Sequence, residues 1–358
     1  MKHRVVQVEP HLEPWRTLTG EYPAAADLAS RLRFLLNYAV LAPSPYNSQP
    51  WRFEVSGNQV RLCAERSRSR PVADADGREL VISCGAALLH LRVAARYFGL
   101  RYALYIAPDT DQPDFLAMME IVGEQPQTQH EANLFAAMPR RHTHRGAFDE
   151  RPLSAGLLRR LREAAKSEGV QAQTIVRGPV QESVLAVAFE AERSHWRDPR
   201  YCREWANWLR RDESAALMGD GLPAGALNLP PSLLPWLPLM MRSLPAGLVP
   251  GQTSSVSALV APAVVSLETP GNGTREWMLA GQALARVLLT AAGAGAEASY
   301  LSHAIQSPLY CGTVRELLHT TLQPQVLLRV GYHAGGAPVP RRTVGEVTTS
   351  LPHKTNHA

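Results

Sequence analysis

Residues 41–53 read LAPSPYNSQPWRF, and the interpretation of the whole sequence starts from this stretch. It follows a segment, residues 26–40, whose apolar side chains recur at helical spacing. The stretch itself is rich in prolines and neutral hydrogen-bonding side chains and carries no charge before Arg52. A turn needs only one or two such residues. The excess indicates either a ligand, with a planar heteroaromatic ring of polar edges as the expected type, or a loop built from Asx and Ser turns.

The composition is that of a globular protein with a large core. The chain has 358 residues, of which 45% are hydrophobic and 19% charged, and this length suits two domains or two half-domains. The formal charge of +5 is modest, and the basic run RSRSR at 66–70 is short. We therefore expect no nucleic-acid partner.

Cysteine spacing and hydropathy predict a cytoplasmic protein without a membrane span. Cys63, Cys84, Cys202 and Cys311 form no CxxC pair and no metal-binding spacing, which fits a reducing compartment and predicts no metal. The N-terminal residues lack the apolar run of a signal peptide. Residues 221–241 approach the length of a membrane helix, but five prolines interrupt them, so we interpret this stretch as a flap over something apolar.

Helix and strand patterns alternate without a strict βαβ rhythm, which favours an α+β fold over a doubly wound sheet. Strand patterns at 51–55 and 59–65 follow the opening loop, and helix patterns cover 79–99 and 275–295. A second unit begins near Met138.

The segment RRHTHR, residues 140–145, is a second concentration of chemistry. If it is extended, Arg141, Thr143 and Arg145 lie on one face and form a donor set suited to a phosphate monoester. The alternative is a solvated basic run on the surface. The two histidines of the segment lack a third ligand for a metal. No nucleophile elbow, Walker loop, dinucleotide fingerprint or zinc-helix motif occurs, and no catalytic residue is assigned.

These residues resemble those of a known family. APSPYNSQPWRF, residues 42–53, looks like the flavin-loop motif of nitroreductases, and RHTHRGAF, residues 141–148, resembles their phosphate-binding Arg-x-Ser-x-Arg/Lys segment. In ordinary nitroreductases the Arg-x-Ser segment comes first, whereas here it follows the loop by about a hundred residues. That order, together with GRELVISCGAALLHLR between them and a PRR tail, resembles the Acg-type branch, in which two nitroreductase-like halves are fused. The resemblance covers nearly the whole chain.

The resemblance implies an α+β, nitroreductase-like fold of two fused half-units that form an intramolecular pseudo-dimer. The expected halves are residues 1–135 and 136–347, with a proline-rich lid at about 215–255 and a flexible tail at 348–358. Further oligomerisation is left open. Since the loop and the phosphate segment occur once each, the resemblance implies one FMN per chain.

Carried over by residue, the resemblance implies an FMN site from three parts of the chain. The residues beside the ring and ribityl chain are Pro43, Ser44, Pro45 and Asn47, with Gln49 behind them. The phosphate ligands are Arg141, Thr143, Arg145, Arg341 and Arg342. The segment beside the N5 edge, where many nitroreductases have Pro-x-Glu-Gly, is Tyr300, Leu301, Ser302 and His303 here. His303 in place of glycine adds bulk where a substrate or nicotinamide would stack.

The implied function is an FMN-dependent oxidoreductase that acts on a small electron-poor organic compound, with NAD(P)H as a candidate reductant. Ser302, His303 or a water are the candidate proton sources. The alternative is a protein that sequesters FMN beneath its lid without NAD(P)H turnover.

Overall fold

The computed structural model describes residues 10–106, 111–210, 217–223, 236, 239, 260–333 and 338–349. Its first sheet has five strands in the order β11-β1-β2-β4-β3. Their bounds are β1 Trp51–Ser56, β2 Gln59–Ala64, β3 Leu100–Ile106, β4 Phe115–Glu124 and β11 Thr348–Thr349. Neighbouring strands are antiparallel except for the parallel pair β1 and β11. Gly57, at φ 54°, makes the tight turn between β1 and β2.

The second sheet is antiparallel and comes from the later part of the chain. Its order is β5-β8-β10-β9. The bounds are β5 Gln171–Val176, β8 Ala263–Thr269, β9 Glu297–Tyr300 and β10 Gln323–Gly331. Every residue of the inner strand β8 is buried, as expected for a strand covered on both faces. A separate two-residue pair, β6 Leu209–Arg210 and β7 Leu222–Pro223, is parallel.

Helices pack against both sheets. The described helices are α1 Glu13–Arg16, α2 Leu28–Ala39, α3 Arg78–Tyr97, α4 Gln129–Ala137, α5 Ala155–Lys166, α6 Pro179–Trp196, α7 Pro199–Trp208, α8 Thr274–Gly293, α9 His303–Gln306, α10 Pro308–Leu317 and α11 Val344–Val347. Of these, α3 is long and apolar enough to cross a membrane, but 83% of its most apolar window is buried inside the protein. Its hydropathy is therefore explained by its place in the core.

Helices α3 and α8 pack against each other and connect the cores of the two sheets. They touch at Gly85 and Gly281, and a Cβ at position 281 would collide with the carbonyl oxygen of Ile82. Residues of α8 belong to both main hydrophobic clusters: Met278 and Leu289 to the cluster of the first sheet, and Leu284 to that of the second. The two glycines let the backbones approach closely, so the two cores are continuous across the helix pair.

The C-terminal residues pack on the first sheet, not the second. Thr348 and Thr349 pair with Phe53 and Glu54 of β1. The prediction of a flexible tail from residue 348 is therefore wrong for these two residues, because β1 offers them an open strand edge. Residues 350–358 lie outside the described part of the chain.

Candidate functional site

The opening loop has an unusual backbone. It contains a 3-10 turn, Pro45–Asn47, and Tyr46, Asn47 and Gln49 have φ angles of 53°, 55° and 49°. Asparagine tolerates this left-handed region, but for the other two residues it costs on the order of 1 kcal/mol each. Contacts from elsewhere must hold the loop in this shape.

Gln49 provides many of these contacts. It is fully buried, and its Nε2 donates to the carbonyl of Gly219 at 2.7 Å while its Oε1 accepts from the backbone N–H of Arg342 at 2.9 Å. Its own backbone N–H donates to Ser44 Oγ at 2.9 Å. The side chain therefore ties the loop to two distant segments and has no free polar atom for a ligand.

Asn47 is used in the same way. Its Oδ1 accepts from Arg341 Nη1 at 2.9 Å, and its Nδ2 donates to the carbonyl of Pro340 at 2.9 Å. Its carbonyl accepts from Gly221 N–H at 3.3 Å. In this geometry Asn47 positions Arg341 and supports the loop, instead of presenting its amide to the cavity.

Arg341 and Arg342 are adjacent but differ in their partners. Arg342 forms an ion pair with Glu65 at 2.7 Å and also donates to the carbonyls of Gln49 and Glu346. Its charge is therefore compensated inside the protein. The geometry does not support the predicted phosphate contact for Arg342, because its guanidinium is committed to Glu65 and the loop.

Arg341 instead lies with Arg141 in a buried cationic cluster. Both side chains are nearly inaccessible, at 2% and 3% exposure. Nε and Nη1 of Arg141 and Nε of Arg341 are buried and have no hydrogen-bond partner in the described part of the chain. Arg145, exposed at the edge of the cluster, adds a third positive charge that acts on Arg341. Thr143, between them in sequence, forms a parallel β-bridge with Ala298.

The electrostatics of this cluster call for an anion. Burial lowers the pKa of Arg141, and burial with repulsion from Arg141 and Arg145 lowers the pKa of Arg341 well below its ordinary value. The hydroxyl of Tyr300, beside these charges, is also buried and has no hydrogen-bond partner in the ranges that the structure describes, and burial raises its pKa to about 12. Buried guanidinium groups without a counter-charge are costly. An anion that fills the cluster would remove that cost.

A cavity lies between segments that are distant in the chain. Its lining comes from residues 43–83, with Pro43, Ser44, Pro45, Glu79, Ile82 and Ser83, and from residues 284–327, with Leu284, Tyr300, Ser302, Ile305, Gln325, Val326 and Leu327. The structure thus brings together the predicted loop residues 43–45 and the predicted residues Tyr300 and Ser302. Tyr300 belongs to both the cavity and the cationic cluster, so the two features are continuous.

Two other predicted residues do not line this cavity. Leu301 is buried in a hydrophobic cluster, and its N–H donates to the carbonyl of Leu327 at 2.9 Å. The imidazole of His303 is turned toward α7, where its Nε2 hydrogen-bonds the hydroxyl of Tyr201 at 2.7 Å. The extra bulk of His303 is therefore accommodated beside α7.

His303 belongs to a polar ring that sequence reasoning missed. The hydroxyl of Tyr201 also bonds the hydroxyl of Tyr46 at 2.8 Å. The guanidinium of Arg70 lies 4.8 Å from the centre of the Tyr46 ring and forms an ion pair with Glu79. Gln306, one turn after His303, donates to Glu79 at 3.1 Å. We call these six residues, Tyr46, Tyr201, His303, Gln306, Glu79 and Arg70, the polar ring.

Little in the sequence marks the polar ring. Glu79 lies in the first turn of α3, where an acidic residue is common because it interacts favourably with the helix dipole, so it does not stand out as a buried and paired charge. Tyr201 and Arg70 lie in ordinary polar surroundings, and their partners are distant in the chain. Only the folded structure shows that they meet.

The beginning of the predicted lid is fastened to the loop. Asp220 forms ion pairs with Arg68 and with Arg210, the latter at 3.0 Å. Gly219 and Gly221 bond the loop residues described above. The rest of the predicted lid, apart from residues 217–223, 236 and 239, lies outside the described residues.

Comparison with known proteins identifies relatives over nearly the whole chain. No protein-family model matches it. The protein named "Putative NAD(P)H nitroreductase Rv3131" of Mycobacterium tuberculosis (strain ATCC 25618 / H37Rv) is 33% identical over 342 residues, covering 92% of this chain and 95% of the relative. "Uncharacterized protein Rv3127" of the same strain is 30% identical over 325 residues, with 87% and 92% covered. The protein named "Putative NAD(P)H nitroreductase acg", also of that strain, is 25% identical over 329 residues, with 88% and 94% covered.

A solved structure has the same fold. It is the crystal structure of a "putative nitroreductase" from Anabaena variabilis ATCC 29413, which aligns with a TM-score of 0.51 at 11% identity. The alignment covers 90% of this chain and 91% of that one. The chain belongs to the nitroreductase superfamily, in its Acg-type branch. The predicted family and the predicted α+β, nitroreductase-like fold are confirmed.

FMN is the typical cofactor of this superfamily, and the donor set fits it. The guanidinium nitrogens of Arg141 and Arg341 that have no hydrogen-bond partner among the described residues suit a phosphate dianion. The adjoining cavity offers prolines and small hydroxyl side chains to a flat ring. Tyr300 connects the two parts.

Proposed function

We propose that the chain binds one FMN and acts as a nitroreductase-type oxidoreductase on a small electron-poor organic compound. The observation that carries this proposal is the pair of buried arginines Arg141 and Arg341, whose guanidinium groups keep nitrogen atoms without a hydrogen-bond partner among the described residues and lie beside Tyr300, which lines the cavity.

The residues of the chain have distinct tasks in this proposal. Arg141, Arg341 and, at the edge, Arg145 hold the phosphate, with Thr143 alongside. Pro43, Ser44 and Pro45 border the ring on one side, and Ser302 borders it on the other. Asn47, Gln49 and Arg342 keep the loop in its left-handed conformation. Bound FMN supplies hydride and single-electron transfer, while the protein supplies orientation and control of solvent access.

The reductant and the substrate belong to the same proposal. Relatives named NAD(P)H nitroreductase support a nicotinamide reductant. The four cysteines are all unpaired, which supports action in a reducing cytoplasm. We also propose that the two halves, residues 1–135 and 136–347, act as a pseudo-dimer within one chain, because the cavity draws on both.

A second function, sequestration of FMN, rests on the lid region. Residues 219–221 bond directly to the loop at Asn47 and Gln49, so a lid that extends from them over residues 215–255 would be anchored at the cofactor. A closed lid would keep water and nicotinamide from the ring.

The experiment combines a titration and an anaerobic mixing. The purified protein is titrated with FMN, and the bound flavin is measured by its visible absorbance; we expect one FMN per chain. The complex is then mixed anaerobically with NADH or NADPH. Loss of flavin absorbance supports the reductase, whereas unchanged absorbance that dithionite still bleaches supports sequestration. Failure to bind FMN, or two FMN per chain, would refute the site.

A further inference from the structure

The polar ring connects the two walls of the cavity. Pro43, Ser44 and Pro45 line the cavity from the opening loop, and Ser302 lines it from the segment before α9; these two segments are called its two walls. Tyr46 directly follows the first wall and His303 directly follows the second. Both side chains are bound by one hydroxyl, that of Tyr201, at 2.8 and 2.7 Å. We propose that Tyr201 is a positioning residue whose hydroxyl sets the spacing of the two walls around the flavin. This inference rests on the FMN site proposed above.

At the first wall, the contacts of the polar ring explain the strained backbone of Tyr46. Tyr46 has a left-handed backbone, with φ 53°, and its side chain packs against the cluster around Tyr201 and Trp205. The phenol therefore anchors the loop outside the cavity. Burial raises the pKa of Tyr46 to about 12, so this hydroxyl remains protonated and can donate or accept at neutral pH.

At the second wall, the polar ring stabilises a helix that is too short to be stable by itself. Helix α9, His303–Gln306, has four residues, and a single turn has almost no intrinsic stability. His303 bonds Tyr201 at its beginning, and Gln306 bonds Glu79 at its end. The polar ring thus fixes α9 from both ends, and Ser302 with it.

The aromatic ring and the hydroxyl of Tyr201 make different contacts, so one substitution can remove the hydrogen bonds and keep the packing. The aromatic ring contacts Trp196, with centroids 5.2 Å apart, and His195 at 5.3 Å. Tyr201→Phe keeps these contacts and removes only the bridge between Tyr46 and His303. We therefore expect the variant to fold and the walls to lose their fixed spacing.

The test uses the full-length protein and two flavins. FMN and riboflavin are titrated into the native protein, Tyr201→Phe and the control Tyr38→Phe, with visible absorbance and flavin fluorescence as readouts. The hydroxyl of Tyr38 is buried in a core cluster and has no hydrogen-bond partner among the described residues. It matches Tyr201 in chemistry but does not touch the polar ring.

The expected result is a loss in Tyr201→Phe that is shared by both flavins. Affinity falls about three- to tenfold for FMN and for riboflavin alike, as for one lost buried hydrogen-bonding group, and the visible band of the bound flavin shifts. The ratio of the two affinities stays unchanged, because the phosphate cluster is intact. Tyr38→Phe binds both flavins within about twofold of the native protein, in line with a hydroxyl that makes no bond.

Variants at both ends of the bridge keep the test decisive. Tyr46→Phe removes the same bridge from its other end, so Tyr46→Phe/Tyr201→Phe should lose little more than either single variant. If Tyr201→Phe fails to fold, Tyr46→Phe gives the reading. His303→Gln keeps an acceptor for Tyr201 and should retain more affinity than His303→Leu.

The contrary outcomes are distinct. Unchanged affinity and spectrum in both Tyr201→Phe and Tyr46→Phe would overturn the positioning role and leave the FMN site standing. Equal losses in Tyr201→Phe and Tyr38→Phe would reduce the effect to general destabilisation and overturn it as well. If the native protein binds neither flavin, the proposed function fails and this inference fails with it.

Discussion

The loop at residues 43–49 and the arginine cluster looked like similar polar features in the sequence, but the structure gives them opposite states. In the loop, the side chains of Asn47 and Gln49 find partners within the protein for their amide groups. In the cluster, Arg141 and Arg341 keep buried nitrogen atoms without hydrogen-bond partners in the part of the chain that the structure describes. The loop amides are therefore satisfied by the protein, whereas part of the cluster is not.

The two regions should therefore respond differently to substitution, one in stability and the other in ligand affinity. A satisfied buried polar group contributes to the folded state and resists removal, while an unsatisfied one costs stability until a ligand pairs it. Substitutions in the loop should therefore lower the stability of the protein. Substitutions in the cluster should lower affinity and leave stability unchanged or improved.

The largest effect is expected from Gln49→Ala. The substitution leaves the N–H of Arg342 and the carbonyl of Gly219 without their partners and puts alanine at φ 49°. We expect the free energy of unfolding to fall by about 2–4 kcal/mol, the sum of two buried unsatisfied groups. Urea denaturation of the protein without flavin measures it.

Gln49→Met is the matched variant for this prediction. It fills a similar space but offers neither the donor nor the acceptor, so most of the loss should persist if the hydrogen bonds of Gln49 hold the loop. A Gln49→Ala protein as stable as the native one would show that the loop is not held by this side chain.

The second effect compares Arg141 with Arg342, two buried arginines of which only Arg342 forms an ion pair within the described residues. Arg141→Met should weaken FMN binding by roughly 1.5–3 kcal/mol, about 10- to 150-fold, because a charge-assisted contact to the phosphate is lost. Riboflavin, which lacks the phosphate, should bind nearly as before. Parallel titrations with both flavins measure the difference.

Arg342→Met should behave in the opposite way. Removal of this guanidinium leaves Glu65 unpaired and frees the carbonyls of Gln49 and Glu346, so stability falls while the preference for FMN over riboflavin persists. If Arg342→Met abolished that preference and Arg141→Met did not, the roles assigned to the two arginines would be reversed.

The sequence was sufficient for the fold because the relevant signals are local or ordered along the chain. The apolar periodicity of α3 and α8 and the alternating strands around Phe53 are readable without a partner. The order of the loop and the RHTHR segment led to the branch of the family. The pairing of Thr348 with β1 was not predictable, because two threonines carry no strand pattern and the open edge exists only in the folded sheet.

The candidate site was predictable in its types of residue but not in their roles. Arg341 and Arg342 are identical and adjacent in the sequence, and only the position of Glu65, distant in the chain, shows which one is neutralised. Likewise, the sequence predicts that Asn47 binds a ligand, whereas in the structure its side-chain amide is hydrogen-bonded to Arg341 and to the carbonyl of Pro340. The polar ring was missed because Tyr201 and Glu79 meet only through long-range contacts.

The smallest effect concerns His90, which lies behind the arginine cluster and resists protonation. Burial, with added repulsion from Arg141 and Arg341, lowers its pKa to about 3. An unfolded histidine has a pKa near 6.5. Above that pH both states are neutral and His90 has no effect on the pH dependence. As the pH falls below about 6.5, the unfolded state takes up a proton that the folded state does not bind, so the free energy of unfolding falls.

Between pH 7 and 5.5, one such histidine lowers the free energy of unfolding by about 1.3 kcal/mol. His90→Gln should therefore lose about that much less than the native protein over this interval in urea denaturation at a series of pH values. Since burial is the larger cause, Arg141→Met should leave most of the His90 contribution in place. A His90→Gln protein with the native pH dependence would mean that the pKa of His90 in the folded state is close to its value in the unfolded state.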